Sequence, residues 1–274
     1  MTHLKGNPMN LVNSFRSEWI LLNRRRLWAG MGITTVVFSV VATWLLLEAA
    51  EPAGRGGNGP RVPLEALGGS GGATAAIISS MSFATVLVVA SFAAAMGNEI
   101  SRGTLRAALT RQPSRLSLIA GKLTARVSLA AVLMAVALIV GAVTAVVVAP
   151  TVDVGTDGWF GADAIGSGLA DYGRLLVFVS MYALIGTTVA ILVKSTPIAL
   201  GICLLWFGPI ENVLGEGRDW AQRWFPGLVM RSLVQPDAPD ALSLGVTLTT
   251  LALYAVVCGG VIAFVMSRQD VTAG

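Results

Sequence analysis

The sequence predicts an all-α membrane protein of six transmembrane helices. Three observations carry that prediction. The 274-residue chain is 54% hydrophobic and only 12% charged, against about 25% charged in an ordinary soluble domain. Several apolar runs approach or exceed the roughly 20 residues that cross a bilayer core. The basic residues also fall on alternate inter-span segments, as they do when Lys and Arg stay on the cytoplasmic side. The net charge of +4 therefore reads as membrane topology, and no nucleic acid is expected as a partner.

Residues 8–27 precede the first span. Leu11, Phe15, Trp19 and Leu22 recur at helical spacing, with Glu18 among them, while Asn13, Arg16, Ser17 and Arg24 fall largely on the other side. This is the pattern of an interfacial amphipathic helix that touches membrane lipids. Arg24, Arg25 and Arg26 mark the boundary of span one, expected over 28–48. That run is too long for the apolar core of a signal peptide and further spans follow, so it is expected to be retained. The segment 51–71, with its run Gly-Arg-Gly-Gly-Asn-Gly-Pro, is an outer loop.

Span two is expected over 72–97, rich in Ala, Ser and Gly, which let helices approach closely in a membrane. Span three is expected over 121–149, ending at Pro150, with Lys122 and Arg126 at headgroup level. The segment 150–171 carries Asp153, Asp157, Asp163 and Asp171 and no Lys or Arg, which suits an outer loop. Its acid spacing matches no calcium loop, so no metal site is assigned. Span four follows over 173–193, then a tight turn at Lys194-Ser195-Thr196-Pro197, then a short fifth span over 197–214 that contains Pro209. Residues 215–240 hold Trp220, Trp224 and Phe225 among charges, and are expected as short helices at the outer interface. Span six runs over 242–266. Counted this way, thirteen of the nineteen Lys and Arg lie inside, with both termini cytoplasmic.

Between spans two and three lies the most basic stretch. The loop 98–120 opens with Asn98 as N-cap of a short helix, is broken at Gln112-Pro113, and restarts with Ser114 as a cap. Leu105, Ala108 and Leu109 form a small apolar face, with Arg102 and Arg106 one turn apart beside it.

Several chemistries are missing. The single histidine is His3, so a Ser–His or Cys–His hydrolase within the membrane is excluded. The span centres hold almost no ionisable residues, unlike ion-driven transporters. Glu48, Asp171, Arg174 and Glu211 sit near span ends and read as solvated anchors. Gly121-Lys122 is followed by Leu123, and Leu116 stands where a phosphate-binding loop needs its first glycine. Cys203 and Cys258 fall within apolar runs and read as small packing residues. The chain has the look of a pathway without a motor.

The run Glu99-x-x-x-Gly103-Thr104-Leu105-Arg106, followed by Arg111, Ser114-Arg115 and Gly121-Lys122, resembles the loop between spans two and three of type-two ABC transporter permeases. The basic N-terminal helix, the short fifth span and the re-entrant outer segment with Trp224-Phe225-Pro226 agree with that resemblance, which covers nearly the whole chain. It implies a permease with one transmembrane domain and six spans, in which 98–120 is a coupling helix. Glu99, Arg102, Gly103, Thr104, Leu105, Arg106, Leu109, Arg111 and Arg115 would dock a separate ATP-binding cassette subunit. It further implies a plasma-membrane assembly of two permeases, alike or different, with two ATP-binding subunits. The substrate would pass between the permeases along spans one, two and five. The chain itself would be no enzyme and hold no cofactor; ATP and magnesium would sit on the partner. Members of the family mostly export drugs, antibiotics, peptides, lipids or glycan precursors. The alternative is a non-transporting membrane scaffold that recruits a cytosolic partner through the same loop.

Overall fold

The computed structural model describes residues 8–50, 67–111 and 114–268. The helices, in order, are α1 (Pro8–Leu22), α2 (Arg25–Glu48), α3 (Gly72–Ser101), α4 (Thr104–Arg111), α5 (Arg115–Val148) and α6 (Ala162–Val193). They continue as α7 (Thr196–Leu205), α8 (Glu211–Gly215), α9 (Asp219–Trp224), α10 (Pro226–Val234) and α11 (Leu244–Arg268). No strand occurs among the described residues. Six helical stretches are long and apolar enough to cross a membrane: α2, α3, α5, α6, the run from Thr196 to Gly215, and α11. The chain is a multi-pass helical membrane protein. The expected loop 51–66, the Gln112-Pro113 break and the tail beyond Arg268 lie outside the described residues.

Two helices make the centre. Of their most apolar stretches, α3 is 56% and α6 61% buried, while the other four spans are only 22–28% buried. Small residues explain the close approach. A Cβ on Gly186 of α6 would stand 2.6 Å from the Val89 carbonyl oxygen of α3, and one on Gly97 would stand 3.0 Å from Thr196. Such backbone proximity needs glycine and gains dispersion contact that lipid cannot match. Phe178, Tyr182 and Phe207 then interlock edge to face, with centroids 4.8 and 5.4 Å apart, a favoured aromatic geometry. Cys203 and Cys258 are buried free thiols.

Three expectations change. Span four starts at Ala162, well before 173, because Asp171 finds partners on α3 and on its own helix and does not mark a loop. Its carboxylate accepts from Thr74 Oγ1 at 2.5 Å and from Arg174 Nη1 at 2.8 Å, so a buried acid is paired as burial requires. The N-terminal helix stops at Leu22, since the chain is non-helical at Asn23 and Arg24 and turns there into α2. Span five is not one regular helix. Pro209 lacks the N–H that an α-helix needs and its ring displaces the preceding turn, and the chain responds with a π-helical turn from Trp206 to Ile210. The Asn212 side-chain amide donates to the Gly208 carbonyl at 2.6 Å.

The turn after α6 is as expected. Lys194 adopts φ 55° and closes the helix, and Ser195 enters α7 in an extended conformation. The ends of the bundle differ in charge. One carries α1, α4 and most of the arginines; the other carries Asp153, Asp157, Asp163, Asp237 and Asp240.

Candidate functional site

The site is the basic end, built around α4. Helix α3 runs on to Ser101, so Asn98 and Glu99 are helical and Asn98 caps nothing. The sequence reading started the new helix too early because the polar residues 98–101 look like a loop. The turn is made at Arg102 and Gly103. Gly103 has φ 71°, a left-handed conformation that glycine adopts freely. Its N–H donates to the Ile100 carbonyl at 3.1 Å, and Thr104 Oγ1 donates to the Glu99 carbonyl at 3.1 Å. These bonds satisfy two of the carbonyls left open at a helix end.

Helix α4 has two faces. Leu105 is 5% exposed and belongs to the main core, with Ala108 and Leu109 packed partly against it. Arg102, Thr104, Arg106, Ala107 and Thr110 face outward. Leu105 therefore holds the helix down, and only the polar face with Arg106 is open, with Arg102 exposed in the turn before it. The Arg111 side chain lies outside the described residues. Ser114 occupies the cap position before α5, but its hydroxyl makes no capping bond. Arg115 donates from Nη1 to the Met266 carbonyl at 2.8 Å, which ties the loop exit to the end of α11.

Behind the loop lies a cluster of four buried or half-buried charges. Glu18 accepts from Lys122 Nζ at 2.7 Å, from Arg126 Nε at 2.9 Å and from Arg126 Nη2 at 2.6 Å. Glu99 takes Lys122 Nζ at 3.2 Å and also pairs with Arg126 Nη2. Lys122 and Arg126 are thus buried within the protein, at 9% and 8% exposure. Burial alone would push the Glu18 carboxyl up. The adjacent Arg126 and Lys122 outweigh that and hold it below its ordinary value. Glu99, expected to face a partner, faces its own chain.

Helix α1 is docked on α5 by the face that carries Glu18. A Cβ on Gly121 would overlap Ser14, so the two helices meet almost backbone to backbone there. Phe15 stacks on Trp19 at 5.7 Å, and Trp19 meets the edge of Trp28 at 6.5 Å. Of the expected lipid-facing stripe, Phe15, Trp19 and Leu22 are partly buried and Leu11 is exposed, and Val12, Ile20 and Leu21 are the other exposed large apolar residues of α1 among the described residues. Glu18 on an otherwise apolar face was the one hint in the sequence. Its partners lie more than a hundred residues away.

At the opposite end, Glu211 is 2% exposed and no solvated anchor. It accepts from Trp206 Nε1 at 2.5 Å and from the backbone N–H groups of Gly227 and Leu228. It thereby joins the bent fifth span to the first turn of α10, where unpaired N–H groups favour an anion. Among the described residues, no three His, Cys, Asp or Glu side chains are grouped to hold a metal ion.

No family model matches this chain, and no curated protein matches it.

Proposed function

We propose that this chain is the permease subunit of an ATP-driven exporter of the type-two ABC class, with both termini on the cytoplasmic side of the plasma membrane. The observation that carries this reading is α4. A short helix that projects Arg106, with Arg102 in the turn just before it, is held firmly to the bundle by Leu105, by the Gly103 turn and by the charged cluster behind it. A rigid, basic projection joining two spans is suited to transmit a push from an acidic cleft on another protein. The excess of Lys and Arg at this end supports the orientation. ATP and magnesium would be bound by the partner, two copies of which would drive two permeases. The apolar outer faces of α2 and of the fifth span are available for lipid or for that second permease. Helices α9 and α10, with Trp220 and Trp224 exposed, suit a re-entrant segment at the outer interface.

The test is co-expression with an ATPase encoded beside this gene, purification in lipid, and assay of ATP-driven transport over a panel of amphiphiles, peptides and antibiotics. We expect a stable complex whose ATPase activity rises with a transported compound. Arg106→Glu should abolish association while the chain still inserts normally. A chain that recruits its partner through α4 but supports no ATP-driven transport would be a scaffold, and the exporter reading would fall.

A further inference from the structure

Three separate pieces of chain converge on the Glu18–Glu99–Lys122–Arg126 cluster. Glu99 stands just before the turn into α4, Lys122 and Arg126 stand seven and eleven residues past the start of α5, which follows it, and Glu18 comes from α1. Helix α1 reaches the bundle by a two-residue connection at Asn23 and Arg24. Its outward residues Val12, Arg16, Ile20 and Leu21 are exposed, so one face alone holds it.

An apolar residue at position 18 would be enough for a passive anchor. Phe15, Trp19 and Leu22 surround that position, and replacing buried ion pairs by apolar packing is often neutral or stabilising. Buried charges are best explained where they specify register. The cluster contains two acids and two bases, and it balances only with Glu18 in place. Both cations bridge Glu18 to Glu99, so α1 is joined at once to the end of α3 and to α5, the two helices that flank α4.

We infer that Glu18 is a positioning residue for the loop helix: through Lys122 and Arg126 it locks α1 to α3 and α5, the two helices that flank α4, so that α1 and α4 move as one body. The consequence for transport rests on α4 being the docking helix of an exporter; the existence of the rigid body does not. In an exporter, a push on α4 would be felt at α1, and whatever holds α1 at the membrane surface would resist it.

The experiment is a distance measurement between spin labels at two exposed positions, Asn13 on α1 and Thr110 on α4. It uses the full chain in lipid nanodiscs, with Cys203 and Cys258 replaced by alanine. The parent protein should give one narrow distance peak. Glu18→Gln leaves the cluster with an unbalanced cation, and the narrow peak should be lost. Glu18→Lys combined with Lys122→Glu exchanges the two charges, which restores both an ion pair between α1 and α5 and the balance of the cluster, and the narrow peak should return. A merely space-filling role for Glu18 would not produce that rescue. The inference is overturned by a Glu18→Gln protein as narrow as the parent, or by a double variant that stays broad or does not fold. Transport and ATPase binding of the parent are measured in parallel: a narrow parent peak without any ATPase partner refutes the exporter reading and leaves the rigid body standing.

Discussion

Gly103 allows the loop geometry to be tested with little else disturbed. Its φ of 71° places it in the left-handed region, and a Cβ built there meets nothing within 4 Å. Any penalty for Gly103→Ala is therefore a backbone penalty and not a clash. It should be about 1–2 kcal/mol, the price of a non-glycine residue in that region. Gly103→Asn should fall below alanine, because asparagine tolerates this conformation. Gly103→Pro should be the worst. Proline fixes φ near −65°, removes the N–H that bonds the Ile100 carbonyl, and disfavours the helical conformation in which Arg102 sits. The sum should exceed about 3 kcal/mol, enough to detach α4 locally. The assay is hydrogen exchange of the amides of residues 104–111 in detergent or nanodiscs. An opening free energy lowered by about 1–2 kcal/mol accelerates exchange roughly five- to thirty-fold. Exchange should rank Pro fastest, then Ala, then Asn, then the parent. Identical exchange for parent and Gly103→Ala would show that the left-handed turn does not hold the helix in place.

The two faces of α4 should separate cleanly. Arg106→Glu is an exposed change and should leave unfolding within about 0.5 kcal/mol of the parent, whereas Leu105→Asp buries a charge against the core and should destabilise by several kcal/mol; reversible unfolding in mixed micelles compares them. Glu211→Ala leaves the Trp206 indole and the Gly227 and Leu228 N–H groups without their acceptor; counting the two backbone groups at about 1–3 kcal/mol each, it should lower stability by about 2–6 kcal/mol and change the near-ultraviolet signal of the tryptophans. Acid should release α1. Because the Glu18 carboxyl is held below its ordinary 4.5, its contribution is fully present above that value and is lost as pH falls through the lower folded value. Labels on α1 should stay immobile from neutral pH down to about 4.5 and become mobile only below it; loosening confined to the neutral range would contradict the assignment.

Hydropathy and spacing are enough to specify an all-helical chain of six spans, the basic and acidic ends, the Lys194 turn and the existence of a short helix within the loop 98–120, though not its start. Those properties are local: an apolar run of sufficient length has few alternatives to a helix in lipid. Charges are where local reading failed. Asp171 and Glu211 read as solvated residues at span ends, and Glu18 as a blemish on a lipid-facing stripe, because a sequence window sees polarity but not partners. Thr74 lies 97 residues from Asp171, and Lys122 lies 104 from Glu18. The same limit applies to Leu105 and to the buried side of α1, whose apolar residues could equally face lipid, another protein or their own bundle. Periodicity tells which residues share a face. Only the packing of α1 and α4 against α3 and α5 decides what that face meets, since burial of a charge is tolerated where opposite charges are brought within hydrogen-bond reach, and that distance is a property of the tertiary fold.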